Sequence, residues 1–282
     1  MERDYLSDDL RVKATTAWTF KDLNSERGTE QFVDLGFDKN IFPRPKPLGT
    51  ILRPLLLSTK KGDVVLDFFS GSSTTAHAVM QLNAEDGGNR RFIMVQIPEP
   101  CDEKSEAYKA GYRNICEIGK ERIRRAGEKI KADSPLTTAD LDVGFRVFKL
   151  ADSNMKDVYY AADELDQQTL ADMVSNIKED RTALDLFFGC LLDWGLPLSM
   201  PYHSEKIDGC TVHTYNDGDL IACFDKNIPE SVVKEIAKRK PLRAVFRDAG
   251  FADSPAKINV FEIFKLYMPE DADDITKRVK VL

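Results

Sequence analysis

The 282 residues carry 40 Lys and Arg against 47 Asp and Glu, a formal net charge of −7, so the chain lacks the basic surplus of a protein built mainly to hold nucleic acid. A hydrophobic fraction of 42% fits a globular protein and argues against wholesale disorder. No run of about 18 apolar residues is present to span a bilayer, and the polar start Met1-Glu2-Arg3-Asp4-Tyr5 is not a signal peptide.

Residues 1 to about 45 show no clear period, and Asn24-Ser25-Glu26-Arg27-Gly28 reads as a turn signal. Lys46 to Thr59 predicts a helix with Pro47 near its first turn and Leu48, Ile51, Leu52, Leu55 and Leu56 on its buried face; Pro54 is placed to kink it. The apolar run Val64 to Phe68 predicts a buried strand, followed by a tight turn at Gly71 and a helix from Ser73 to Asn83. Gly71 lets the backbone bend and approach a ligand without a Cβ in the way. Ser72, Ser73 and Thr74 offer hydroxyls and free N–H groups at a helix start, where an anionic group is favoured. The loop 84–89 leads to a second strand at Phe92 to Gln96, and one long helix is expected from Ser105 to Lys131. Strand–helix–strand alternation at this spacing implies parallel pairing with a right-handed crossover, the architecture that binds ligands outside the carboxyl ends of its strands.

Gly144 to Leu150 alternates as a half-buried strand, and the chain then turns helical and acidic through about Trp194. Thr211 to Tyr215 and Leu220 to Phe224 flank Asn216-Asp217-Gly218-Asp219, a strong hairpin signal. Pro229 to Lys240 predicts a helix, Arg243 to Arg247 a short strand and Ser254 to Leu266 another helix. The basic stretch from Arg113 to Lys131 is read as a solvated amphipathic face, with phosphate contact as the sharper alternative.

The Lys46-Pro47 helix opening, the Asp67-Phe68-Phe69-Ser70-Gly71 turn and a second strand ending in Gln96 resemble the S-adenosylmethionine (SAM) site of amino-DNA methyltransferases. More closely, Thr74-Thr75-Ala76-His77-Ala78-Val79, Asp102 to Tyr108 and Ile115 to Ile123 resemble the modification subunits of type III restriction–modification systems, which are β-class N6-adenine enzymes. The resemblance covers essentially the whole chain, most specifically residues 40 to 130.

It implies an α/β chain: a SAM-dependent methyltransferase part with a partial, Rossmann-like parallel sheet, then a smaller C-terminal α/β domain. Residues 1–45 would be the exit from a target-recognition region, 46–150 the SAM-binding subdomain and 151–282 an assembly domain. It further implies that Asp67 orients the methionine end of SAM, that Phe68 and Phe69 wall the adenosine, and that Gly71 forms the close approach. Ser72, Ser73, Thr74 and Thr75 would meet the methionine carboxylate, Lys46 and Pro47 the adenosine side. Gln96 stands where an acid often grips the ribose hydroxyls, and Ser73 where glycine is common. Double-stranded DNA, a restriction subunit and a second modification subunit are the expected partners of the intact enzyme.

The β class also carries a catalytic Asp-Pro-Pro-Tyr or Asn-Pro-Pro-Tyr tetrapeptide, and neither occurs in this sequence. No catalytic residue is therefore assigned. The chain is expected to be the SAM-binding C-terminal portion of such an enzyme, inactive alone. The alternative is a non-enzymatic assembly module with a vestigial SAM site. His203, Cys210 and His213 lack the close ligand pairs of a zinc site, so no metal is expected. Five cysteines without a Cys-x-x-Cys pair are expected as free thiols in a reducing cytoplasm.

Overall fold

The computed structural model describes residues 17–18, 20–156, 177–251 and 254–282, which fall into two compact units divided between Phe145 and Arg146. No helix among the described residues is long and apolar enough to cross a membrane.

The first unit runs α1 (Ser25–Asp34), α2 (Leu48–Ser58), β1 (Val64–Asp67), α3 (Thr74–Asp86), β2 (Arg91–Met94), α4 (Glu106–Lys109) and α5 (Ile115–Asp133). β1 and β2 pair in parallel, with Asp67 opposite Met94, and α3 is the crossover between them. The helix α3 is buried nearly all round. On one side Ala78, Val79 and Leu82 meet the leucine face of α2; on the other Ala76 and Met80 join Phe32 of α1 and Ile118, Ile123 and Ala126 of α5. Its small residues let those helices approach closely, and they explain why no single apolar stripe shows in its sequence.

Pro54 lies inside α2, which continues through it from Leu48 to Ser58 and packs against α3. Three expectations for this unit need correction. Residues 24–28 are not a turn: Asn24 caps α1, and Gly28 lies so close to the next segment that an added Cβ would stand 1.9 Å from the Pro45 carbonyl oxygen. The second strand ends at Met94, so Gln96 lies beyond it. The long helix is two: the chain breaks at Gly111 (φ +98°) and restarts where Asn114 accepts from the Glu117 N–H at 3.2 Å while Glu117 accepts from the Arg113 N–H at 2.6 Å. Asn-x-x-Glu before an apolar run is a helix-start signal in the sequence, and the basic periodicity on either side obscured it.

Residues 144–150 form no strand. Their alternation serves two separate packings: Phe145 lies under the Arg124 guanidinium in the first unit, whereas Phe148 stacks edge-on to Phe188 in the second.

The second unit runs α6 (Ala183–Asp193), β3 (Tyr202–Ile207), β4 (Cys210–Tyr215), β5 (Leu220–Cys223), α7 (Glu230–Lys238), β6 (Ala244–Phe246), α8 (Ser254–Tyr267), α9 (Ile275–Arg278) and β7 (Val279–Val281). The expectation of acidic helix falls partly on 157–176, outside the described residues; α6 lies in the remainder. The strands form one sheet in chain order, antiparallel from β3 to β5 and parallel from β5 to β7. The hairpin between β4 and β5 stands as expected, its turn passing through Asn216 (φ 44°), Asp217 (φ 55°) and Gly218 (φ 122°), residue types that tolerate the left-handed region. One sheet face packs Val212, Ile221 and Phe246 on α7 and α8; the other packs Tyr215, Leu220 and Val245 on α6. The sequence reading missed β3, whose residues are mostly polar, and β7, which is three residues long.

Candidate cofactor-binding site

The turn from β1 to α3 is closed by side chains that the fold draws from β1, α3, α5 and the segment after β2. Asp67 ends β1; its Oδ1 accepts from the Phe69 N–H at 3.0 Å and its Oδ2 from the Thr75 hydroxyl at 2.6 Å. The ladder runs on past β2, with the Val95 N–H donating to the Asp67 carbonyl at 2.8 Å and the Ser70 N–H to the Val95 carbonyl at 3.2 Å. That extension brings Gln96 under the turn, where its Oε1 accepts from the Gly71 N–H at 2.7 Å and its Nε2 donates to the Ile97 carbonyl at 3.2 Å. The amide oxygen of Gln96 thus holds the turn, while its nitrogen bonds its own chain neighbour.

Gly71 has φ +50° and faces the Phe42 ring. Ser73, at the N-cap of α3, is also left-handed (φ 60°, ψ 40°), and its hydroxyl makes no capping bond. This is a conformation that glycine adopts freely and an L-residue adopts at a cost of about 1 kcal/mol. The serine hydroxyl is turned inward, 2.6 Å from where a Cβ on Gly119 of α5 would be. Ser72, Ser73, Thr74 and Thr75 are all buried, with Ser72 and Thr74 bonded to Arg122 and Thr75 to Asp67. What the turn presents outward is aromatic: Phe68 is 64% and Phe69 89% exposed. Lys46 is exposed and Pro47 buried at the start of α2, which is tied to α1 by the Leu48 N–H donating to Gln31 Oε1 at 2.8 Å.

Asp67, Gly71, Thr75 and Gln96 therefore form one hydrogen-bonded turn. Arg122, Gly119 and His77 belong behind it and were not singled out as site residues. Arg122 is wholly buried; its Nη1 donates to Ser72 Oγ at 2.9 Å and Thr74 Oγ1 at 2.6 Å, while its Nε and Nη2 have no partner among the described residues. Burial lowers its pKa to about 10, still far above neutrality. His77, one turn into α3, is held neutral with a pKa of about 3, first by burial and then by the positive charges of Arg122 and Lys129. The basic stretch that contains Arg122 is an amphipathic helix as expected, with Ile118, Ile123 and Ile130 buried and Arg124 and Lys129 exposed; Arg125 stacks over Phe37 and donates to the Gly36 carbonyl at 2.7 Å, and Arg122 alone is drawn fully inside. Among the described residues no three His, Cys, Asp or Glu side chains gather as metal ligands; in the second unit His213 Nδ1 meets Ser204 Oγ at 2.7 Å.

A DNA methylase family model matches residues 2–126, the segment that contains this turn and most of the first unit. Over that segment the chain is similar to DNA methylases, and its similarity to Mod subunits extends beyond it. It is 45% identical over 128 residues, 45% of its length, to the type III restriction–modification enzyme StyLTI Mod subunit of Salmonella typhimurium, of which it covers 19%. It is 34% identical over 217 residues, 76% of its length, to the EcoPI Mod subunit of Escherichia phage P1, of which it covers 32%. With the EcoP15I Mod subunit of Escherichia coli it shares 33% identity over 214 residues, 72% of its length and 30% of the relative's. The chain thus spans at most about a third of these relatives.

Proposed function

We propose that this chain is the SAM-binding portion of a site-specific DNA adenine-N6 methyltransferase of a restriction–modification system. The observation that carries the reading is the coincidence of the methylase-matched segment with a parallel β1–α3–β2 unit whose Gly71 turn is anchored on Asp67. The residues suit a cofactor with an ammonium, a carboxylate and a flat base. Asp67 accepts at the strand end, the first N–H groups of α3 have no capping side chain, and Phe68 and Phe69 are free to stack. When bound, SAM supplies the electrophilic methyl group. Lys46 and Pro47 would border the adenosine. Ser72, Ser73, Thr74 and Thr75 would act through their backbone more than their hydroxyls, and Gln96 would act by holding the turn.

The residues of the first unit form the Rossmann-like half-site, and the second unit serves assembly with a restriction subunit and another modification subunit. In the whole enzyme the target adenine is flipped from double-stranded DNA, because its amine cannot otherwise reach the methyl donor. No Asp-Pro-Pro-Tyr-type element is present to orient that amine, so this chain alone is inactive.

A second reading, an assembly module with a vestigial SAM site, draws support from Gln96 being committed to Gly71. Calorimetric titration of the chain with SAM separates the two. Micromolar-range binding that Asp67→Ala weakens by about tenfold or more supports the first; no binding to the wild-type chain supports the second.

A further inference from the structure

We propose that Arg122 is a positioning residue for the cofactor turn: from α5 it fixes the left-handed step at Ser73 that directs the start of α3. The inference rests on the SAM reading above and adds to it the device that holds the site in shape.

Ser73 is held only in part by its own backbone, its N–H donating to the Ser70 carbonyl at 2.6 Å and its carbonyl accepting from the His77 N–H at 3.3 Å. Its φ of 60° is unfavourable for an L-residue, and its hydroxyl caps nothing. The residues on either side of it are gripped as well, since one nitrogen of Arg122 donates to Ser72 Oγ at 2.9 Å and to Thr74 Oγ1 at 2.6 Å. A single donor bonded to both flanking hydroxyls restricts how far they can separate, and so restricts the step between them. Gly119, three residues before Arg122 and on the same side of α5, supplies the room. A Cβ there would stand 2.6 Å from Ser73 Oγ and 3.3 Å from the Gly71 carbonyl. Phe32 packs on the guanidinium, its ring centre 5.7 Å from Cζ.

The arrangement is costly if its purpose were packing alone. Arg122 is wholly buried, makes no ion pair among the described residues, and leaves Nε and Nη2 without partners. Replacing a buried, poorly compensated charge by an apolar side chain of similar reach is commonly neutral or stabilising. A methionine here would fill the space without that cost. It would not bridge Ser72 and Thr74.

The test combines SAM titration with thermal unfolding of the 282-residue chain. Arg122→Met is expected to keep or raise the melting temperature while weakening SAM binding by about tenfold or more. Adding Ser73→Gly, which removes the left-handed strain, is expected to recover most of that loss. Unchanged affinity overturns the proposal, as does a parallel fall in affinity and melting temperature that Ser73→Gly leaves unrepaired. If Arg122→Met does not fold, Thr74→Val removes the shorter of the two bonds and is expected to weaken binding by about threefold or more at unchanged melting temperature; full affinity in that variant overturns the proposal. If the wild-type chain binds no SAM, the cofactor reading fails for this chain, and amide exchange then decides the role of Arg122. Exchange at Gly71–Thr75 faster by about tenfold in Arg122→Met, with the rest of α3 unchanged, supports it, and unchanged exchange overturns it.

Discussion

The two units solve the same problem to different degrees. In the second, the five-stranded sheet is sheathed: α7 and α8 cover one face and α6 the other, so β4 to β6 are buried almost throughout. In the first, the two parallel strands turn Val65, Phe92 and Met94 into a core but leave Val64, Leu66, Ile93 and Val95 exposed on the opposite face, continued by Ile97 at 75% exposure. Parallel strands are ordinarily covered on both faces, and their near-continuous apolar sequence reflects it. The sequence of β1 is therefore that of a doubly buried strand, while among the described residues its surroundings cover one side only. The candidate site sits at the end of that half-covered sheet, and its precision depends on polar bonds behind the turn more than on a deep core.

Substitutions on the two sheets should separate most sharply. Phe246→Ala removes a wholly buried ring packed against Phe251 and Phe264, and should cost about 3–5 kcal/mol in denaturant unfolding of the second unit. Leu66→Ala on the exposed face of β1 should stay within about 0.5 kcal/mol. A comparable cost for Leu66→Ala would mean that this face is covered in solution, and the contrast would fail.

The first unit should also be the more acid-sensitive of the two, since His77 carries the larger shift, although burial lowers the pKa of His213 in the second. His77 binds a proton near pH 3 when folded but near its ordinary value of 6.5 when unfolded. Between those values the unfolded state takes up more protons, so stability is full above pH 6.5 and falls as the pH drops towards 3. The loss from pH 7 to pH 4 should be on the order of 2–3 kcal/mol, and His77→Gln should flatten it. An equally steep profile in the variant would assign the acid response to other groups.

Gly28→Ala should destabilise the first unit by about 1–3 kcal/mol, because the new methyl group meets the Pro45 carbonyl and backbone there cannot yield as a side chain would. A neutral result would show that α1 is free to shift away from the segment leading into α2. The smallest effect belongs to the second unit's surface. Glu205 on β3 accepts from Arg239 after α7 at 2.6 Å, yet both side chains are partly exposed, so Glu205→Gln should cost less than about 1 kcal/mol and less still in high salt.

Much of this was legible in the residues. Strand β1, the Gly71 turn, α3 and the β4–β5 hairpin follow from local signals: an apolar run, a glycine, a helix start, Asn-Asp-Gly between alternating segments. The break between α4 and α5 had a readable mark in Asn114 and Glu117, overlooked because basic residues recur across it at helical spacing. The polar strand β3 had none, since it is defined by pairing Tyr202–Ile207 against Cys210–Tyr215 and not by its own composition.

By itself the sequence determined the strand–turn–helix at Asp67–Thr75, its parallel return through β2 and the hairpin of the second unit, since each is dictated by residues adjacent in the chain. Only the tertiary structure decided what stands behind the turn. Arg122 lies 50 positions after Ser72 and 48 after Thr74, and Gly119 is similarly remote from Ser73; no local pattern announces a buried guanidinium bonded to two hydroxyls. The same holds for Gln96, read from sequence as a residue for the ligand and found holding Gly71 in place. Backbone conformation is written locally by sterics, whereas the partner of a buried polar group is chosen by whatever the fold brings within about 3 Å of it.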